Sequence, residues 1–239
     1  SGSISIKGFS FTMDNYKAVF LGSGSMVSGI RHSLVLAAVA AVIGMLAGFA
    51  VAYILTYSDF KLKRFIDMIT LIAMAVPGVV LGIGYIFVWN QKWLTNIGLH
   101  LYGKPAILVL ASVAAAVPLI NRVLVGGMAK IPKTLLVAAQ MQGAGFPARM
   151  RTVLLPLIHN STVSAILAAF GGSVFNLAIT TILYPPNYST LPVYISDAYN
   201  DLEFGYAAAA TITGGAFIVG IMLILEAVLN MGRMKKKGK

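Results

Sequence analysis

The sequence predicts an all-α, polytopic transmembrane bundle of five spans, and three observations carry that prediction. Hydrophobic residues fill 58% of the 239 positions and charged residues only 10%, with a mean hydropathy of +0.85, which is more apolar surface than a water-soluble domain of this length can hide. Five stretches each supply the roughly 20 apolar residues needed to cross about 30 Å of hydrocarbon. The basic residues fall between those stretches in the alternating pattern that orients a membrane protein.

The stretches cover residues 33–57, 65–89, 105–124, 153–184 and 206–231. The fourth is longer than one straight crossing needs, and Gly171 and Gly172 near its middle mark the expected break. Lys61, Lys63 and Arg64 follow the first stretch. Arg122, at the very end of the third stretch, is grouped with Lys130, Lys133, Arg149 and Arg151 of the loop between the third and fourth, and Arg233, Lys235, Lys236, Lys237 and Lys239 close the chain. Placing these three groups in the cytoplasm leaves few basic residues outside, and only an odd number of crossings does so. The fourth stretch is therefore one tilted or broken span, with the amino end outside and the carboxyl end inside. The chain reads as a single membrane domain over residues 1–239. It has an external segment at 1–30, a cytoplasmic loop at 131–152 and a basic cytoplasmic tail at 232–239.

The formal charge of +11 is explained by this orientation and calls for no nucleic-acid partner. The absence of cysteine excludes disulfides, thiolate metal sites and cysteine nucleophiles. The amino terminus lacks the basic start and short apolar core of a signal peptide. No G-x-x-x-x-G-K-[ST] run occurs, and the glycines near Gly22 lack the lysine and preceding strand of a nucleotide loop. His32, His100 and His159 show no metal-protease spacing, no G-x-S-x-G elbow is present, and no metal site is expected. These gaps leave little for a membrane enzyme.

Within the spans, Gly44 with Gly48 and Gly78 with Gly82 are small-xxx-small pairs expected to let helices approach closely. Pro77 and Pro118 are candidate kinks or hinges. Trp89, Trp93 and Tyr102 are placed at the headgroup level. Glu226, an acid of the fifth span, lies about two turns from Arg233 and is expected to snorkel or pair there. Ser173, Asn176, Thr180 and Thr181 recur at roughly helical spacing in the fourth span. That stripe either lines a water-filled path or bonds a neighbouring helix.

The most informative segment is the long internal loop, IPKTLLVAAQMQGAGFPARMRTVLLPLI. Pro132 opens a short helix, Leu135, Leu136, Ala139 and Met141 give it an apolar side, Gly143 stops it, and a second turn covers residues 147–150. A short helix with small residues on one side and basic residues around it suits a groove of a soluble partner.

This loop resembles the EAA loop of binding-protein-dependent ABC importer permeases: Glu-Ala-Ala, three residues, Gly, nine residues, then Ile-x-Leu-Pro. Ala138 and Ala139 stand at the alanines, Gly143 at the glycine, and Val153, Leu155 and Pro156 at the closing motif. Val137 replaces the family's glutamate. The runs AVPGVVLGIGYIF, VPLINRVLVGGMAKIPKTL and YNDLEFGYAAAATI are similar to ferric-iron permeases and to their relatives for 2-aminoethylphosphonate, polyamines and thiamine. The resemblance implies the type I importer permease fold in a bacterial inner membrane, with one amino-terminal span fewer than the usual six. It implies a trimmed subunit or the second half of a fused permease. It further implies a second permease half, two ATPase subunits that hold ATP and Mg and grip the loop, and a periplasmic binding protein that delivers solute, ferric iron being the favoured one. No cofactor is implied in this chain. An ATP-independent transporter would instead show buried carboxylates or an inverted repeat, and neither is apparent.

Overall fold

The computed structural model describes residues 13–21 and 25–237; the residues before Met13, residues 22–24 and the end of the basic tail lie outside it. The external end of the chain contributes α1 (Asp14–Leu21), and the first span is α2 (Ser25–Tyr57), which starts eight residues before the expected Ser33. The second stretch divides into α3 (Lys63–Ala75) and α4 (Gly78–Trp89), followed by the short α5 (Lys92–Asn96) and the third span α6 (Pro105–Met128). The internal loop carries α7 (Lys133–Met141), α8 (Phe146–Arg149), a π-helical turn (Met150–Leu154) and α9 (Leu155–Leu157). The fourth stretch forms α10 (His159–Val174) and α11 (Leu177–Leu183), α12 (Leu191–Asn200) lies outside, and α13 (Phe204–Lys237) is the last span. Among the described residues three helices are long and apolar enough to cross a membrane alone, and two bent pairs bring the number to five.

The centre of the bundle is α2, because its small residues let three neighbours approach at once. Ala40 and Ala52 pack with Ile120 and Leu124 of α6, Ala37 and Ala41 with Phe170 of α10 and Ile218 of α13, and Leu36 with Leu108 of α6 and Ile179 of α11. Lipid is as apolar as leucine, so close packing of small residues, and not water exclusion, holds such helices together. Both glycine pairs serve this purpose. A Cβ on Gly44 would come within 3.1 Å of Ala116 Cβ, and one on Gly48 within 2.7 Å of Ile120 Cγ2. On α4, a Cβ on Gly78 would lie 3.0 Å from Ala178 Cβ, and one on Gly82 3.0 Å from Ile182 Cβ.

The two prolines behave differently. Pro77 ends α3: Val76 and Pro77 are extended (ψ 124° and 138°), as expected before and at a residue with no N–H, and α4 leaves at 108° to α3. The second stretch is thus a broken span, whose outer part packs on α11. Pro118 stays inside an unbroken α6, where it is buried.

Three further features depart from the expected ones. Arg122 lies inside α6 and not in the loop, because its guanidinium forms an ion pair with Asp67 of α3 at 2.8 Å and donates to the Asp67 carbonyl at 3.2 Å. Asn121 and Arg122 both donate to Thr70 Oγ1 at 3.3 Å, so the charge is paired within the bundle and does not stop the helix. The fourth span breaks at Phe175 and Asn176, not at Gly171 and Gly172. Those glycines remain helical beside Phe170 and Val174, which are buried against α13. Its beginning also shifts, because an 80° bend at Ile158 leaves Val153, Leu155 and Pro156 on the loop side of the elbow.

Orientation is testable in a chain without native cysteine. An impermeant thiol reagent should reach Asn187→Cys only from outside and Met141→Cys only from inside; labelling of both from one side would overturn the topology.

Candidate functional site

The loop between α6 and α10 is assembled against the inner ends of α2 and α6. The last carbonyls of a helix have no partner within it, and the Tyr57 hydroxyl at the end of α2 donates to two acceptors there, Met128 O at 2.9 Å and Ile131 O at 3.2 Å. Pro132, in extended backbone, then starts α7. Lys133 Nζ donates to Asp59 Oδ2 at 3.0 Å, and this hydrogen bond together with the ammonium charge holds the Asp59 carboxyl below its usual range. Within α7 one side chain turns inward: Leu136 is 3% exposed and packs with Met128, Leu154 and Ile158.

The opposite side of α7 is open. Leu135, Val137 and Met141 are exposed, Met141 to 83%; Ala138 is exposed and Ala139 half-buried beside them. Gly143 has φ +83° and donates to Gln140 O at 2.9 Å, while Ala144 donates to Ala139 O at 3.0 Å. This paired pattern is a Schellman cap, which calls for a left-handed residue at its turning point. Arg149 Nη1 donates to Gln140 Oε1 at 2.7 Å, and the Phe146 ring meets Tyr53 of α2 edge-on at 5.5 Å. The result is a short helix fixed on one side by a buried leucine and an ion pair, with the following turn held to α2 by a ring contact, and presenting an apolar face on the other. Val153 is half-buried, and Leu155 and Pro156 are exposed in the elbow that leads into α10.

The second candidate region is the break in the fourth span. Asn176 Oδ1 accepts from Ile179 N at 3.1 Å and so caps α11. The Thr180 hydroxyl donates to the Asn176 carbonyl, and Thr180 is buried. Ser173 is half-buried one turn earlier on α10, and Thr181 is exposed. The four therefore do not share one continuous helix face; Asn176 and Thr180 satisfy each other's segment at the start of a new helix. Asn176→Leu is expected to destabilise α11 by about 1 kcal/mol through the lost cap and to lower uptake. Asn176→Asp should retain both, and equal uptake by the two variants would show the cap to be dispensable.

Sequence reasoning missed the Asp67–Arg122 pair, because Asp67 at the start of a span was not weighed as an intramembrane acid. It also missed α12, although Thr190 followed by Leu191 and Pro192 is a helix-start signal.

The described residues define an all-helical, multi-pass membrane bundle that presents an apolar helix from a basic internal loop. The chain belongs to the family described as binding-protein-dependent transport system inner membrane component, whose model matches residues 40–231. It is 26% identical over 220 residues to the ferric transport system permease protein FbpB of Actinobacillus pleuropneumoniae, covering 91% of this chain and 31% of that one. It is 27% identical over 213 residues to the molybdate/tungstate transport system permease protein WtpB of Methanocaldococcus jannaschii, covering 88% and 83%. A similar match, 27% over 205 residues and covering 86% and 76%, is to a putative 2-aminoethylphosphonate transport system permease protein, PhnV, of Salmonella paratyphi A. Among solved structures, the fold resembles a bacterial ABC transporter involved in alginate import (TM-score 0.72, 16% identity, 96% of this chain and 85% of that one). It also resembles the MetNI methionine ABC transporter (TM-score 0.64, 20% identity, 87% and 94%). The chain spans less than a third of the ferric relatives' length.

Proposed function

We propose that this chain forms one half of the transmembrane path of an ATP-driven importer in a bacterial inner membrane. In this reading α7 is the part gripped by ATPase subunits, which hold the ATP and Mg. The observation that carries it is the open apolar face of α7 on a helix otherwise held by Leu136 packing on Met128 and by the Lys133–Asp59 pair just after α2, while Tyr57 joins the ends of α2 and α6 and Arg149 joins α8 to α7. A partner that moves α7 would move the inner ends of α2 and α6 with it, since packed helices shift as rigid bodies. The breaks at Pro77 and Asn176 supply hinges, and α4 and α11, joined at Gly78 and Gly82, form the segment that would swing on them. Val137, at the place of the family's glutamate, offers the ATPase a methyl surface instead of a charge.

Solute would come from an external binding protein and pass between this chain and a second permease half. Ferric iron is the proposed solute, supported by the two relatives named as ferric permeases. The relatives named for molybdate/tungstate and for 2-aminoethylphosphonate favour a second reading, an oxyanion or a phosphonate. Purifying the complex with its binding protein and measuring the protein's affinity for ferric ion, molybdate and 2-aminoethylphosphonate tests the choice. Tight binding of ferric ion supports the first reading; preference for either anion replaces it with the second.

A further inference from the structure

Among the described residues three helix ends close with the same hydrogen-bond pattern, and one of them is built from the wrong residue for that turn. At Gly98 (φ +79°) and Gly143 (φ +83°) the left-handed position is glycine. At the end of α12, Leu202 N donates to Tyr199 O at 3.1 Å and Glu203 N donates to Ala198 O at 3.1 Å, so Leu202 occupies the same position with φ +65°. A branched side chain there is disfavoured by the contact between Cβ and the carbonyl, yet Leu202 gains no core packing in return, being 73% exposed. An outlier of this kind points to a use elsewhere.

Its surroundings describe a partner. Tyr199 and Phe204, which precede and follow Leu202 in the chain, are exposed and in edge contact with each other at 5.0 Å, and Leu202 and Phe204 line an open hollow of about 510 Å³ between α1 and the start of α13. Asp197, Asp201 and Glu203, all exposed, are three of the chain's seven acids. No Lys or Arg occurs between Arg151 and Arg233, and the neighbouring α1 adds Asp14 and Lys17, which offset each other. Three acids within seven residues place this turn outside the hydrocarbon. An acidic rim is also the reverse of what anionic lipid headgroups attract.

We propose that Leu202, flanked by Tyr199 and Phe204 and rimmed by Asp197, Asp201 and Glu203, is a docking knob for the solute-binding protein, entering an apolar hollow ringed by lysine or arginine. An exposed apolar centre with a charged rim is the anatomy of a transient protein interface, in which the centre sets affinity and the rim sets approach. The assignment rests on the importer reading above.

Leu202→Gly suits the backbone better than leucine and removes only the knob. The test uses the complete complex in nanodiscs, titrated with the solute-binding protein that stimulates its ATP hydrolysis. Leu202→Gly should keep wild-type recovery, thermal stability and basal hydrolysis while raising the half-stimulating concentration at least about tenfold, in the range of interface hot spots. Asp201→Lys with Glu203→Lys should weaken stimulation and reverse its salt dependence. Unchanged half-stimulation in Leu202→Gly overturns the proposal while leaving the importer reading in place. Loss of thermal stability in nanodiscs with unchanged half-stimulation assigns the knob to the lipid surface and overturns it too. A wild-type complex that transports with no binding protein overturns the importer reading, and this proposal with it.

Discussion

Gly48→Leu is expected to lower recovery of the folded protein sharply, whereas Gly220→Leu should leave it unchanged. A Cβ at position 48 would lie 2.7 Å from Ile120 Cγ2, 3.0 Å from Ile120 Cβ and 3.2 Å from Val117 O. Ile120 is fully buried and β-branched, so it has little freedom to turn aside, and the carbonyl belongs to the backbone of α6. Leucine would force α2 and α6 apart along their length, and overpacking of this kind costs about 1–3 kcal/mol or more. Each 1–2 kcal/mol of that loss lowers the ratio of folded to unfolded protein roughly 5- to 30-fold, a large share of the stability of a marginally stable chain. At Gly220 an added Cβ meets nothing within 4 Å. Size-exclusion recovery of the two variants expressed in parallel measures the difference.

Gly143→Val is expected to leave the protein inserted and recoverable but to abolish uptake. Nothing lies within 4 Å of an added Cβ there, so the cost comes from the backbone: φ +83° costs an L-residue about 1–2 kcal/mol, and a β-branched one resists it most. The cap that ends α7 would loosen and the helix would lose its fixed angle to the elbow at residues 153–156. Gly143→Asn, which tolerates the left-handed region better, should retain much of the uptake. ATP hydrolysis and uptake measured on the same preparations check this; normal uptake by Gly143→Val would remove α7 from the coupling path.

The spans were legible because hydropathy and charge asymmetry are properties of composition, and the glycine pairs because close helix contact demands small residues. Gly143 was legible as a stop because a left-handed cap has few other solutions. The breaks were less so. Proline at 77 signals a kink but not its 108° size, which depends on α4 finding α11 as a partner. Gly171 and Gly172 looked weaker than Asn176, yet packing against α13 keeps the glycines helical, while the Asn176 side chain caps a new helix. The position of Arg122 was misread because its carboxylate partner lies on another helix, 55 residues away in the chain. Leu202 gave no signal at all, since a left-handed leucine is visible only in the backbone.

ATP-driven uptake by the complete complex in sealed proteoliposomes, with proton and sodium gradients collapsed, bears most directly on the central claim. The account predicts that solute accumulates only when ATP is on the ATPase side and binding protein on the other, and that Gly143→Val abolishes the accumulation. Accumulation driven by an imposed ion gradient without ATP would contradict it.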